Sequence, residues 1–233
     1  MSESNALQSI AIGVGAGLLY HFLNTLSEEK VELVENLQQC VEAVKILRKH
    51  CNEVPVLGLD CEWVDAPNVS LLQLCSHKGY CAVIRLCKMA SIPMSLCNLL
   101  SDRKVVKVGV GIAKDCEYLE ECDLPTNSAL DLRFVAKLTG AKPQNLADMY
   151  KAVVGGTLKK DLELTLSDWE AYTLTPQQIQ YAADDAKAGI EIYKTLAKKV
   201  SDVNVFAQYY DMDYVPRRDN DLKSVASDEC CLQ

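Results

Sequence analysis

The chain has 233 residues, 49% of them hydrophobic, which is enough to bury a full core in one domain. Its 24 Lys and Arg against 32 Asp and Glu give a formal charge of −8, the wrong sign for a protein that coats nucleic acid through bulk electrostatics. Eleven cysteines with no C-x-x-C pair, and three histidines away from zinc-ligand spacing, argue against a disulfide framework and a structural zinc site, and suit a reducing compartment.

From Ala6 to Leu23 no charged residue appears. As a helix this run would span about 27 Å, just enough for the hydrocarbon core of a bilayer. Gly13 and Gly17 form a G-x-x-x-G pair, and Tyr20 and His21 suit an interface. The missing basic n-region and small-residue cleavage site argue against a cleaved signal. The expectation is an N-terminal hydrophobic anchor and hinge over 1–27. The plainer alternative is an apolar helix packed on the domain or on a partner.

Val31–Val34 reads as a short strand, and Asn36-Leu-Gln-Gln39 as a capping box that opens a helix to about His50. Pro55–Asp60 is an apolar strand, and two more are predicted at Ser70–Cys75 and Tyr80–Leu86, joined through His77-Lys78-Gly79. A short helix near Pro93–Leu100 leads into a strand over Val105–Val110. Gly111 then releases the chain into a helix carrying Asp115. Further helices are predicted at Asp131–Leu138, Asn145–Val153 and Pro176–Lys198. The last has Thr175 as N-cap, Pro176 at N1 and Gln178 at N3. Strands first and helices later predict an α/β layered domain with a mixed central sheet flanked by helices over 28–200. A polar extension over 201–233, expected to be partly disordered, follows. Its last four residues, Cys230-Cys231-Leu232-Gln233, fit a prenylation pattern loosely, but the acidic residues before them argue against it.

Asp60 and Glu62 flank one residue on a strand, so their side chains share a face. Two such carboxylates ending an apolar strand need compensation, and a hard divalent cation such as Mg²⁺ or Mn²⁺ supplies it; a strand end reaching solvent is the alternative. Asp115 falls in the first turn of a helix, where an acidic group also serves the helix dipole. Tyr181 and Asp185 are i and i+4 on one helix face, with Asp184 close enough to rival Asp185. Lys104, Lys107, Lys114, Lys159 and Lys160 are candidates for a local basic rim, although a solvated face accounts for any one of them. Trp63 suits either stacking on a terminal base or core packing.

Taken together, Leu59-Asp60-Cys61-Glu62-Trp63, Lys107-Val-Gly-Val-Gly-Ile-Ala-Lys-Asp115 and Tyr181-Ala-Ala-Asp-Asp185 resemble the three motifs of the DEDD superfamily of 3′–5′ exonucleases, in its tyrosine subclass and its Werner-exonuclease-like branch. Softer matches are Ala129-Leu-Asp131-Leu-Arg133, Leu146-Ala-Asp148, Leu166-Ser-Asp-Trp169 and Leu174-Thr-Pro-Gln177. The resemblance spans about Val31 to Lys199 and implies a ribonuclease H-like fold. It implies two Mg²⁺ or Mn²⁺ ions: Asp60, Glu62 and Asp185 hold the first, Asp60 bridges to the second, and Asp115 steadies the second through water. Tyr181 would orient the attacking water, and the Y-x-x-x-D register selects Asp185 over Asp184. The implied partner is nucleic acid with a 3′ end, DNA or RNA. One relative in this group begins with a hydrophobic anchor associated with mitochondria, so the resemblance makes the mitochondrial surface an expected location, with nucleus or cytosol as alternatives. The relatives are much longer, and functions of their additional domains are not carried over. A second reading keeps the same fold as a nucleic-acid-binding or membrane-tethered scaffold with little turnover. The complete set of carboxylates and the tyrosine favours the enzyme.

Overall fold

A computed structural model describes residues 29–142, 145–200, 202–212 and 214. The expected anchor over 6–23 and the C-terminal cysteines lie outside the described residues.

Six strands form one mixed sheet: β1 (Lys30–Val34), β2 (Val56–Glu62), β3 (Leu71–Ser76), β4 (Tyr80–Arg85), β5 (Val106–Gly109) and β6 (Ala129–Asp131), in the order β1-β4-β3-β2-β5-β6. The β2–β3 and β3–β4 pairs are antiparallel, and β1–β4, β2–β5 and β5–β6 are parallel. The mixed sheet flanked by helices is as expected. β2 lies inside the sheet with an apolar run, Val56-Leu-Gly-Leu59, buried on both faces, as strands covered on two sides require.

Alternation along the strands sends side chains into two cores. Leu57, Leu59, Leu72, Leu74, Ala82 and Ile84 face one way, toward α1 (Leu37–Cys51), α2 (Met94–Ser101) and α3 (Ala113–Glu121). Val56, Leu71, Cys75, Val83 and Val108 face the other way, toward α4 (Leu132–Leu138), α5 (Leu146–Val153) and α7 (Pro176–Lys199), with the one-turn α6 (Leu162–Thr165) beside them. The helices begin where the sequence signals them. Thr175 and Gln178 make a reciprocal capping box on α7, and Lys198 and Lys199 complement its last turn. At α1 the Asn36 carboxamide accepts from Gln39 N–H at 3.0 Å, but Gln39 reaches back to the Glu35 N–H instead of closing the box on Asn36.

The packed body continues past residue 200. Phe206 is fully buried, the Asp211 carboxylate accepts from Ser128 and Ala129 N–H at 3.2 and 2.7 Å, and Tyr214 donates to Glu120 at 2.9 Å. Among the nine described free cysteines, six are buried, as small apolar residues are.

Lys107 departs from the rim expected of it. It is fully buried on β5, donating to the carbonyls of Val105 at 2.6 Å and Asp102 at 3.1 Å. Burial pulls its ammonium down to about 7, so it holds backbone in place and meets no solvent-borne strand.

Candidate metal centre

β5 pairs with β2 only as far as Gly58, so Asp60, Cys61 and Glu62 project beyond the end of their parallel neighbour. Asp60 and Glu62 face α7, while Cys61 between them turns into the opposite core. What brings α7 onto that face is Gly58. A Cβ there would lie 2.0 Å from the carbonyl oxygen of Ala186, so no larger residue permits the helix to cross so closely. Ala182, Ala183 and Ala186 complete the smooth underside of the helix. Seated in this way, α7 delivers Tyr181 and Asp185 above the end of β2.

Carboxylate oxygens of Asp60, Glu62 and Asp185 lie within 4.8 Å of one another. Asp115 joins them from α3. After β5 the chain turns through Gly111, at φ +78°, whose N–H donates to Asp131 at 3.1 Å. Asp131, buried and N-capping α4, is in turn held by Arg133 Nε at 2.9 Å. The loop fixed in this way starts α3 so that Asp115 is buried, with the backbone N–H of Cys61 aimed at its carboxylate. Of the neighbouring charges on Asp60, that of Asp115 acts most strongly.

Four carboxylates in a desolvated corner resist ionisation. Burial, then the charges of Asp115, Asp185 and Glu62, hold Asp60 well above the usual carboxylate range. Burial and the Asp185 charge push Glu62 up to about 8, and burial raises Asp115 to about 7. Asp185 is raised too, chiefly by burial, even though Lys160 bonds it. That lysine is the cation the protein itself contributes here. Burial works against its charge, but the Asp185 carboxylate outweighs this and holds it above its ordinary value.

Tyr181 is buried beside the cluster. Its hydroxyl is 2.7 Å from Thr165 Oγ1 and 3.4 Å from Lys160 Nζ, and its ring stacks on the buried Trp169 at 6.2 Å. Asp184 is turned away: it accepts from Gln180 Nε2 at 2.8 Å and lines a cleft of about 310 Å³ with Tyr150, Lys159 and Lys187. Trp63 packs edge-on against Tyr118 at 4.9 Å, with Lys114 over the Tyr118 ring.

The donors are hard carboxylate oxygens with no His or Cys among them, the set that suits Mg²⁺ or Mn²⁺ and not zinc. The excess of negative charge, raised so far from its ordinary ionisation, also fits a place for divalent cations. Asp60, Glu62 and Asp185 could hold one directly, with Asp115 beside them. Lys160, a rim candidate in the sequence, has an exposed side chain, and its ammonium reaches in to bond Asp185. Sequence reasoning left Thr165 and the Asp131–Arg133 pair without roles. Asp131 and Arg133 fall in one of the softer motif matches, a signal that was available for them; Thr165, on a one-turn helix, has none.

A profile of the 3′–5′ exonuclease family matches residues 31–201. "Exonuclease 3′-5′ domain-containing protein 2" of Drosophila melanogaster is 38% identical over 187 residues, covering 77% of this chain and 32% of that protein. A "3′-5′ exonuclease" of Arabidopsis thaliana is 31% identical over 206 residues, covering 84% of this chain and 69% of that protein. A crystal structure of the EXD2 exonuclease domain soaked in Mn and GMP is 33% identical, covers 72% of this chain and 90% of its own, and superposes with a TM-score of 0.46. The chain spans 32%, 25% and 28% of the length of the fly, mouse and human proteins of the first name.

Proposed function

The chain belongs to the 3′–5′ exonuclease family, and on that premise we propose that it is a metal-dependent exonuclease hydrolysing phosphodiester bonds from the 3′ end of DNA or RNA. The observation that carries this reading is the convergence of the Asp60, Glu62 and Asp185 oxygens within 4.8 Å, from a strand and a helix more than a hundred residues apart.

Bound Mg²⁺ or Mn²⁺ would supply charge for the scissile phosphate and acidify the attacking water. Asp60, Glu62 and Asp185 hold the cations, and Asp115 completes the negative shell from α3. Tyr181 orients the attacking water through its hydroxyl, which Thr165 positions and which the Trp169 ring keeps in one plane. Lys160, next to both Asp185 and Tyr181, is placed to meet a phosphate oxygen as the strand enters. The sheet and α7 exclude bulk water from the far side of the site, so each charge acts at low effective dielectric.

The test is Mn²⁺-dependent release of nucleotides from matched DNA and RNA strands with free 3′ ends, against Asp60→Ala. Release by the unsubstituted protein alone is expected. Strand binding without release would leave the scaffold reading in its place.

Residues 6–23 form a membrane anchor in this reading, ahead of an exonuclease domain that starts near residue 28 and whose packing takes in Phe206, Asp211 and Tyr214. The support is the run without charge; among the described residues no helix is long and apolar enough to cross a membrane. The buried free thiols support a reducing location inside the cell, and the anchor over 6–23 would hold the domain at a membrane surface, the mitochondrial one in this proposal. Fractionation of cells expressing the full chain and a 1–24 deletion tests this: equal partitioning of both into the soluble fraction refutes the anchor.

A further inference from the structure

Gln73 stands in the apolar run of β3, fully buried, and neither Nε2 nor Oε1 of its amide has a hydrogen-bond partner. An amide left unpaired away from water is costly, and folded proteins rarely keep one without a use. For packing alone, a leucine or methionine would serve better at this position.

The sheet register says what the amide is near. Gln73 lies directly opposite Asp60 in the β2–β3 ladder and directly opposite Val83 in the β3–β4 ladder. Directly opposed residues of an antiparallel pair project from the same face, with Cβ atoms about 5 Å apart. Gln73 therefore shares the face beneath α7 with Asp60 of the cluster. Its same-face neighbours along β3 are Leu71 and Cys75. Asp60 is the hydrogen-bond acceptor directly across from it. One diagonal step away is Arg85, opposite Leu71, whose Nε is also buried without an acceptor. The demands are complementary: an amide with its N–H toward Asp60 offers its carbonyl to Arg85.

We propose that Gln73 is a positioning residue for Asp60: its amide N–H, unpaired in the metal-free fold, donates to the Asp60 carboxylate when a cation is bound and fixes the orientation in which that carboxylate faces it. The inference rests on the metal-dependent reading above. A carboxylate that would ligate a cation must present its oxygens at set angles, and ligating carboxylates are commonly held by a hydrogen bond from behind.

Calorimetric Mn²⁺ titration of the full chain and of Gln73→Met, beside thermal melts in EDTA, tests it. Methionine keeps the volume and removes the amide. Mn²⁺ affinity is expected to fall about tenfold, while the metal-free melting temperature holds or rises because an unpaired polar group has gone. Unchanged affinity overturns the inference. So does a loss of affinity that comes with a lowered metal-free melting temperature, which assigns the residue to packing. If Gln73→Met does not fold, Gln73→Leu, which also removes the amide, is read against the same outcomes. Absence of Mn²⁺ uptake by the unsubstituted chain is a different failure, that of the metal-dependent reading itself.

Discussion

Lys160 and Asp185 form an ion pair inside the carboxylate cluster, with the same ammonium 3.4 Å from the Tyr181 hydroxyl. The acidic corner is thus partly neutralised by a side chain from the segment that leads into α6. The Asp185 side chain is almost fully buried, while that of Lys160 is 38% exposed, so the lysine is the partner free to move.

Lys160→Met should destabilise the metal-free protein by only about 1 kcal/mol, since solvent screening weakens a pair with so exposed a partner. Saturating Mn²⁺ should close that gap, because the cations then neutralise Asp185. Urea unfolding in EDTA and in Mn²⁺ measures both. A larger loss that persists with Mn²⁺ would make Lys160 a packing residue.

Glu62 gives a pH dependence whose sign is opposite to that of an ordinary surface carboxylate. Burial and the Asp185 charge raise it to about 8 in the folded protein, against an unfolded value near 4.3. A raised acid contributes stability below its unfolded value, and that contribution is lost as pH climbs through the folded one. In EDTA, Glu62→Gln should therefore gain on the unsubstituted protein between about pH 5 and pH 8, by at most about 1.4 kcal/mol per pH unit. Paired thermal melts across that range check it, and a constant difference would remove Glu62 from the buried cluster.

Metal uptake should follow the same protons in reverse. Cations need ionised carboxylates, so Mn²⁺ affinity should climb from pH 6 to pH 8 as Asp115, at about 7, and Glu62, at about 8, ionise. Titration calorimetry in buffers of different ionisation enthalpy should detect proton release on binding.

Tyr181→Phe separates chemistry from metal binding. It deletes the hydroxyl beside Thr165 but keeps the ring on Trp169. Turnover should fall about 10²-fold, with Mn²⁺ affinity unchanged. Asp60→Ala should lose both. Full turnover in Tyr181→Phe would exclude the phenol from the reaction.

Gly58→Ala tests whether the seat of α7 makes the site. The added methyl would fall 2.0 Å from the Ala186 carbonyl oxygen, and backbone cannot swing aside as a side-chain tip can. A loss of about 3 kcal/mol is expected, together with weaker Mn²⁺ binding as Tyr181 and Asp185 lift from β2.

The elements that could be read in the sequence are those with strong local signals. Thr175, Pro176 and Gln178 announced α7 to within one residue at its end, and Asp60 and Glu62 announced a shared face by their spacing. β6 and α6 were not legible: three and four residues carry no periodicity, and both exist through tertiary pairing. Lys107 was misread because a lysine on a strand ordinarily faces water, and only the β5 pairing on both sides buries it. The ion pair of Lys160 with Asp185 joins residues 25 apart through the loop that folds back over α7. No local pattern encodes that return.

Motif order along the chain has a consequence for biogenesis. Asp60 and Glu62 are made more than a hundred residues before Asp185, which sits on α7, a helix that begins only at Pro176. A nascent chain still tethered to the ribosome through that helix holds two acids without their third partner and cannot cage an ion. The cluster is thus completed only once the α7 segment has been made, so its earlier acids wait on the helix that crosses Gly58.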